Sequence, residues 1–181
     1  MEIKKIKNNS KGITLVELLI AIAIFTTVIA IVYSIYIGNI KFINKENIKT
    51  QLQNEAQVID STFSQLSMQS EGIVDSSLYG TDEFKEVSYI ALEYQGKVVK
   101  WIVEENILKL QIISNYKLEN QKIDSEYNIS ENVKYFAIKS VDKDDLETSK
   151  IINVKIELEK KKGFSKVNYP FSMMVTFRNK K

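Results

Sequence analysis

The residue with the clearest chemical potential is a lone acid in an apolar setting. Residues 13–37, ITLVELLIAIAIFTTVIAIVYSIYI, form a run of 25 with one charged side chain, Glu17. At about 1.5 Å per residue, a helix of that length can cross the ~30 Å hydrocarbon core of a bilayer. A carboxylate held deep in that core costs roughly 2.5–3.5 kcal/mol, and less near the interface. Glu17 is therefore a functional candidate, to be weighed against a side chain that merely reaches back to the headgroups. A second acidic group, Asp142, Asp144, Asp145 and Glu147, could offer oxygen ligands to calcium. No glycine follows where a tight calcium loop needs one, so a solvated acidic turn is the preferred reading. Lys160, Lys161 and Lys162 precede Gly163 and could touch an anionic polymer, but a solvated hairpin end accounts for them as well. Trp101, Tyr89 and Tyr94 suit cross-strand packing better than a carbohydrate platform.

Other chemistries are excluded by composition. The 181 residues include no histidine and no cysteine. That removes histidine general bases, Ser-His and Cys-His nucleophiles, the usual zinc ligands and disulfides. No GxxxxGK phosphate loop is present. The net charge is +2, without the clustered basic face of a dedicated nucleic-acid binder, so no nucleic-acid partner is expected. No enzymatic activity and no cofactor are expected either.

The elements that must position Glu17 begin at the N-terminus. Residues 1–12 carry Lys4, Lys5, Lys7 and Lys11 against Glu2. The positive-inside rule places this segment in the cytoplasm and the chain after about residue 38 outside. A secretory signal would have a shorter apolar core and a small-x-small cleavage site, and neither is found. Beyond Gly38, apolar residues recur at Ile48, Leu52, Ala56, Ile59, Phe63 and Leu66, a helical spacing. This predicts one continuous helix from about Ile13 to about Ser70, ending near Gly72, with its first half spanning a membrane and its second half amphipathic. From about residue 84 the period becomes two. Strands are predicted at 86–94, 97–103, 107–113, 133–141, 151–160 and 171–179, with 114–131 as polar loop and 161–170 holding a turn. The expected fold class is α+β, a long N-terminal helix packed on an antiparallel head of about six strands. Its segments are a leader (1–12), a transmembrane half-helix (13–37), an amphipathic half-helix (38–71) and an extracytoplasmic head (72–181).

The stretch Lys11-Gly12-Ile13-Thr14-Leu15-Val16-Glu17-Leu18-Leu19-Ile20-Ala21-Ile22-Ala23-Ile24 resembles the N-terminal signal of type IV pilins and type II secretion pseudopilins. The resemblance implies cleavage by a prepilin peptidase between Gly12 and Ile13, N-methylation of Ile13, and a role for Glu17 in filament assembly. It further implies other pilins or pseudopilins, the cytoplasmic membrane and an assembly platform as partners. Ile13 stands where Phe or Met is commoner in that family, and Ser34 where many major subunits have proline. The latter suits a minor subunit, and the order of elements is similar to minor pilins of the PilW and GspJ type. Cleavage would remove four of the 25 basic and one of the 23 acidic side chains, leaving 21 and 22. It would also create an amine four residues from Glu17, on the same helical face.

Two functions follow as expectations. One is a structural minor subunit of a type IV pilus, competence pilus or secretion filament, in the initiating or tip complex. The other is a single-pass, membrane-anchored extracellular binding module that does not polymerise.

Overall fold

The computed structural model describes residues 13–77, 83–116, 122–142, 145–163 and 165–179. The chain divides into two compact units, Met1–Ile43 and Asn44–Lys181. Helix α1, Leu15–Gln69, contributes to both. No proline interrupts its 55 residues, and Gly38 is its only glycine. In the first unit its apolar side chains, among them Leu18, Ile22, Phe25, Ile29 and Tyr36, are exposed. It is long and apolar enough to cross a membrane.

In the second unit α1 presents a single buried stripe. Ile48, Leu52, Ala56, Ile59 and Phe63 are all buried, at the spacing the sequence predicts, while Leu66 is partly buried and Ser67 takes the next enclosed position. The helix stops where Ser70 N–H and Ser70 Oγ–H both donate to the Ser67 carbonyl, at 3.1 and 2.8 Å. Gly72 follows with a positive φ, a conformation that residues bearing a Cβ rarely adopt.

Nine strands follow: β1 Gly72–Ser76, β2 Lys85–Glu86, β3 Tyr89–Tyr94, β4 Lys97–Glu104, β5 Ile107–Ser114, β6 Lys122–Ser130, β7 Val133–Ser140, β8 Ile151–Lys162 and β9 Ser165–Thr176. They form two antiparallel sheets, of order β1-β3-β4-β5-β6 and β2-β7-β8-β9. Two-residue turns join β3 to β4 and β4 to β5. Both central residues have positive φ in each turn, Gln95 and Gly96 in the first and Glu105 and Asn106 in the second, as a type I′ hairpin requires.

The helix stripe and both sheets share one apolar cluster. Phe63 packs on Trp101 with ring centroids 5.0 Å apart, which makes Trp101 a core residue. A polar lock holds α1 at the far end of the five-stranded sheet. Glu55 accepts hydrogen bonds from Ser130 Oγ at 2.8 Å and from Asn132 Nδ2 at 2.9 Å, and Lys160 Nζ stands 3.7 Å away.

The α+β class and the helix agree with the sequence reading, and the strand count is higher than expected. The strand predicted at 86–94 is two strands in different sheets. Val87 N–H donates to the Phe136 carbonyl, whereas Tyr89–Tyr94 pairs with β1 and β4. Residues 114–131, expected as loop, contain β6. Its side chains are mostly exposed, so it carries no alternating apolar signal. β1 has no counterpart among the predicted strands, being five residues long with a bulge between Ile73 and Asp75. The last strand begins at Ser165, not 171, and runs through Pro170, which is compatible with an edge strand.

The core assignment is tested by Phe63→Ala. It removes the ring that meets Trp101 and should destabilise the head by about 3–5 kcal/mol in denaturant unfolding. Val58→Ala, on the exposed side of the same helix, should change stability by less than about 0.5 kcal/mol.

Candidate functional site

At the start of α1 the chain forms a reciprocal hydrogen-bonded cap. Thr14 precedes the first helical residue, and its carbonyl accepts from Leu18 N–H at 3.1 Å. Thr14 N–H and Thr14 Oγ1–H both donate to Glu17 Oε2, each at 2.9 Å. Glu17 N–H in turn donates to Thr14 Oγ1 at 3.3 Å. This is a capping box: the N-cap threonine and the acid three residues on satisfy helix-end donors that have no partner within the helix. The partial positive charge of the helix N-terminus further favours an anion there.

The cap has a geometric consequence for the proposed cleavage point. It fixes the helix start at Leu15, so Ile13 lies outside the helix and is 78% exposed. Gly12 lies outside the described residues. Glu17 Oε1 takes no hydrogen bond among the described residues, which leaves half of the carboxylate available to another donor. Further along, the Thr26 and Thr27 hydroxyls donate to the Ala23 carbonyl at 3.0 and 2.8 Å. Those hydroxyls are thus satisfied within the helix, as a hydrocarbon environment demands. Reading the sequence for charge passes over Thr14 as a functional residue. The signal is nonetheless present: Thr-x-x-Glu ahead of an apolar run is the sequence form of a capping box.

The described part of the acidic loop is held by hydrogen bonds to its own backbone and side chains. Asp142 accepts hydrogen bonds from Ser149 Oγ and from the backbone N–H groups of Lys150, at 3.1 Å, and Ile151, at 3.0 Å. Its carboxylate thereby clamps the entry into β8. Asp145 Oδ1 accepts from Glu147 N–H at 3.3 Å. Asp144 lies outside the described residues, and among the described residues no three acidic groups converge. Lys160 is committed to Glu55, and Tyr94 Oη donates to Gln69 Oε1 at 3.0 Å. The Lys100 ammonium lies 4.0 Å from the Tyr89 ring centroid.

The donors around Asp142, Ser149 Oγ foremost, lower its carboxyl from the ordinary 3.8 to about 2. A carboxylate with a depressed folded-state pKa stabilises the fold above its unfolded pKa, and this contribution disappears as pH falls through the folded value. The loop around β8 should therefore loosen between about pH 4 and about pH 2. The protection factors of the Lys150 and Ile151 amides, each rate referred to the intrinsic rate at the same pH, should fall as pH falls across that window, and Asp142→Asn should remove this pH dependence.

Residues 7–33 match the family model described as the prokaryotic N-terminal methylation motif. The matched segment contains Gly12, Ile13, Thr14 and Glu17 and continues into the apolar part of α1. No curated protein and no solved structure matches the chain significantly. The motif and the apolar N-terminal helix together fit membrane anchoring, and in this segment the chain is similar to type IV pilin-like proteins, whose leader is processed by a prepilin peptidase.

Proposed function

We propose that this chain is a minor pilin or pseudopilin. It is cut between Gly12 and Ile13, N-methylated on Ile13 and built into a type IV pilus, a competence pilus or a filament of the type II secretion kind. The observation that carries the reading is the methylation motif over residues 7–33, with Glu17 as the lone acid near the start of an apolar helix. The chain crosses the cytoplasmic membrane once, with residues 1–12 inside and the sheet head outside. Assembly then moves the head to an extracytoplasmic filament or the cell surface. Serine at position 34, and the resemblance of the sequence-read element order to subunits of the PilW and GspJ type, support a place in the initiating or tip complex. The chain catalyses nothing. Cleavage and methyl transfer belong to the peptidase, which takes residues around Gly12 as its substrate.

Assembly follows from the energetics of Glu17. A carboxylate carried alone into a low-dielectric bundle loses several kcal/mol of hydration, which an opposite charge can offset. Cleavage supplies that charge, because the α-amino group of Ile13 adjoins the Thr14 N–H that already donates to Glu17. Within one subunit the amine stands two residues ahead of the first helical residue, beside the cap rather than on a turn of the helix as the sequence spacing suggests. Between staggered subunits the open Oε1 can meet a neighbour's amine. Only the pair between subunits lowers the free energy of the assembled state relative to an isolated subunit, because a pair within one subunit is already made before assembly.

Glu17→Gln separates this charge from the cap. Glutamine also serves in a capping box, so the helix start should survive while the negative charge is lost. The variant should be cleaved like the wild type, yet its incorporation into purified filaments should fall by at least about tenfold, because breaking a buried charge pair costs several kcal/mol. Incorporation at the wild-type level would instead support a non-polymerising anchored module.

A further inference from the structure

Strand β9 is the one long, regular edge in the head among the described residues, and only half of it is protected. The other open edges are blunted. β1 is five residues long and bulged, and β2 has two residues. β6 carries bulges at Ile129 and Asp124, opposite Leu108/Lys109 and Ile112/Ile113 of β5, and charges at Lys122, Asp124 and Glu126. Such devices keep sheet edges from pairing with other chains. β9 is twelve residues long, pairs with β8 without a bulge, and has no charged side chain from Val167 to Phe177.

The register shows which backbone groups face outward. Phe177 N–H donates to the Lys150 carbonyl, so position 177 bonds toward β8. The Ile151 carbonyl accepts from Val141 N–H and therefore points to β7, so its β9 partner Thr176 points its own groups away from β8. Alternation then directs the N–H and C=O of Ser172, Met174 and Thr176 to the open edge, along with position 170. At 170 the residue is proline, which offers no N–H. Proline is thus placed at the position where it interrupts outside pairing while leaving the β8 ladder whole. The half from Phe171 to Thr176 has no such block. Helix α1 does not close over it: a groove of about 350 Å³, lined by Gln53, Gln57, Asp60, Tyr169, Phe171 and Ser172, remains beside the strand. Met174 is 64% exposed.

We infer that the Phe171–Thr176 half of β9 is a strand-pairing edge for a second copy of this chain. Antiparallel pairing about a two-fold axis through Met174 sets Ser172 opposite Thr176 and Met174 opposite its own copy. Each outward residue meets a neutral partner, and Pro170 falls beyond the paired region. A register shifted toward the N-terminus would bring Pro170 into the ladder and lose a hydrogen bond. The β6 edge of a second copy is a poorer occupant, since its bulges and its Lys122, Asp124 and Glu126 would meet this uncharged tract. Anchoring of both copies in one membrane raises their effective concentration, so a short strand pair suffices. The inference does not rest on the filament reading.

The chain has no cysteine, which makes the test direct. Paired antiparallel residues bring their Cα atoms within the range a disulfide spans. Full-length Met174→Cys and Lys161→Cys chains are oxidised separately in membranes, and disulfide-linked homodimers are followed on non-reducing gels. Lys161 is exposed near the β8–β9 hairpin, away from the Phe171–Thr176 edge. The Met174→Cys dimer should form at least about tenfold faster than the Lys161→Cys dimer, and adding Thr176→Pro should return it to the control rate, because it removes an outward N–H from the pair. Thr176 is exposed and its N–H points away from β8, so the added proline leaves the core and the β8 ladder intact. Equal rates at 174 and 161, a rate at 174 indifferent to Thr176→Pro, or capture of a different protein by Met174→Cys would each overturn the proposal.

Discussion

One helix has to satisfy two solvents, and the rest of the molecule is arranged around that requirement. Through residue 37 α1 is apolar on every side, the pattern of a membrane span. From Ile48 to Phe63 its apolar residues narrow to one stripe, and every residue of that stripe is buried. A stripe of this kind is stable only against a complementary face, and the strands supply one: Trp101 meets Phe63, and both sheets contribute to the same cluster. Glu55, on the flank of the stripe, adds direction to an otherwise greasy contact. Its hydrogen bonds to Ser130 and Asn132 can be made in only one rotation of the helix about its axis.

The same requirement explains the chemistry at the helix start. Polar groups in an apolar span are tolerated when partnered, as Thr26 and Thr27 are through the Ala23 carbonyl. Glu17 is partnered only in part. Its Oε2 closes the cap with Thr14, while its charge and its other oxygen remain to be matched. A residue that both ends the helix and carries an unmatched charge ties local structure to association. The helix begins where it does because of Glu17, and the isolated subunit is disfavoured in an apolar environment because of it as well.

What can be read from the sequence tracks how much each element depends on burial. The α1 stripe is legible because its spacing is enforced by a core, and β4, β5 and β7 because they carry regular buried positions. β6 is illegible because a solvated edge strand is under little apolar constraint, and β1 and β2 because they are short. In the sequence Pro170 points to a turn, whereas its meaning depends on which side of β9 faces open space. Of the candidate site, Glu17 stands out at once, but its partner Thr14 does not, since a search for charge passes over a neutral capping residue. The role of Asp142 is beyond reach from sequence alone. Its partners Lys150 and Ile151 lie eight and nine residues away across a loop, and only the fold brings them to it.

Whether residues 7–33 form a processed filament-subunit terminus is tested most directly by one mass. It is that of the N-terminal peptide of the chain isolated from membranes, with and without an active prepilin peptidase. The expected result is a chain that begins at Ile13 with one added methyl group, seen only when the peptidase is present. A chain that still begins at Met1 beside an active peptidase would contradict that processing, and would leave a membrane-anchored sheet domain whose ligands would then have to be sought.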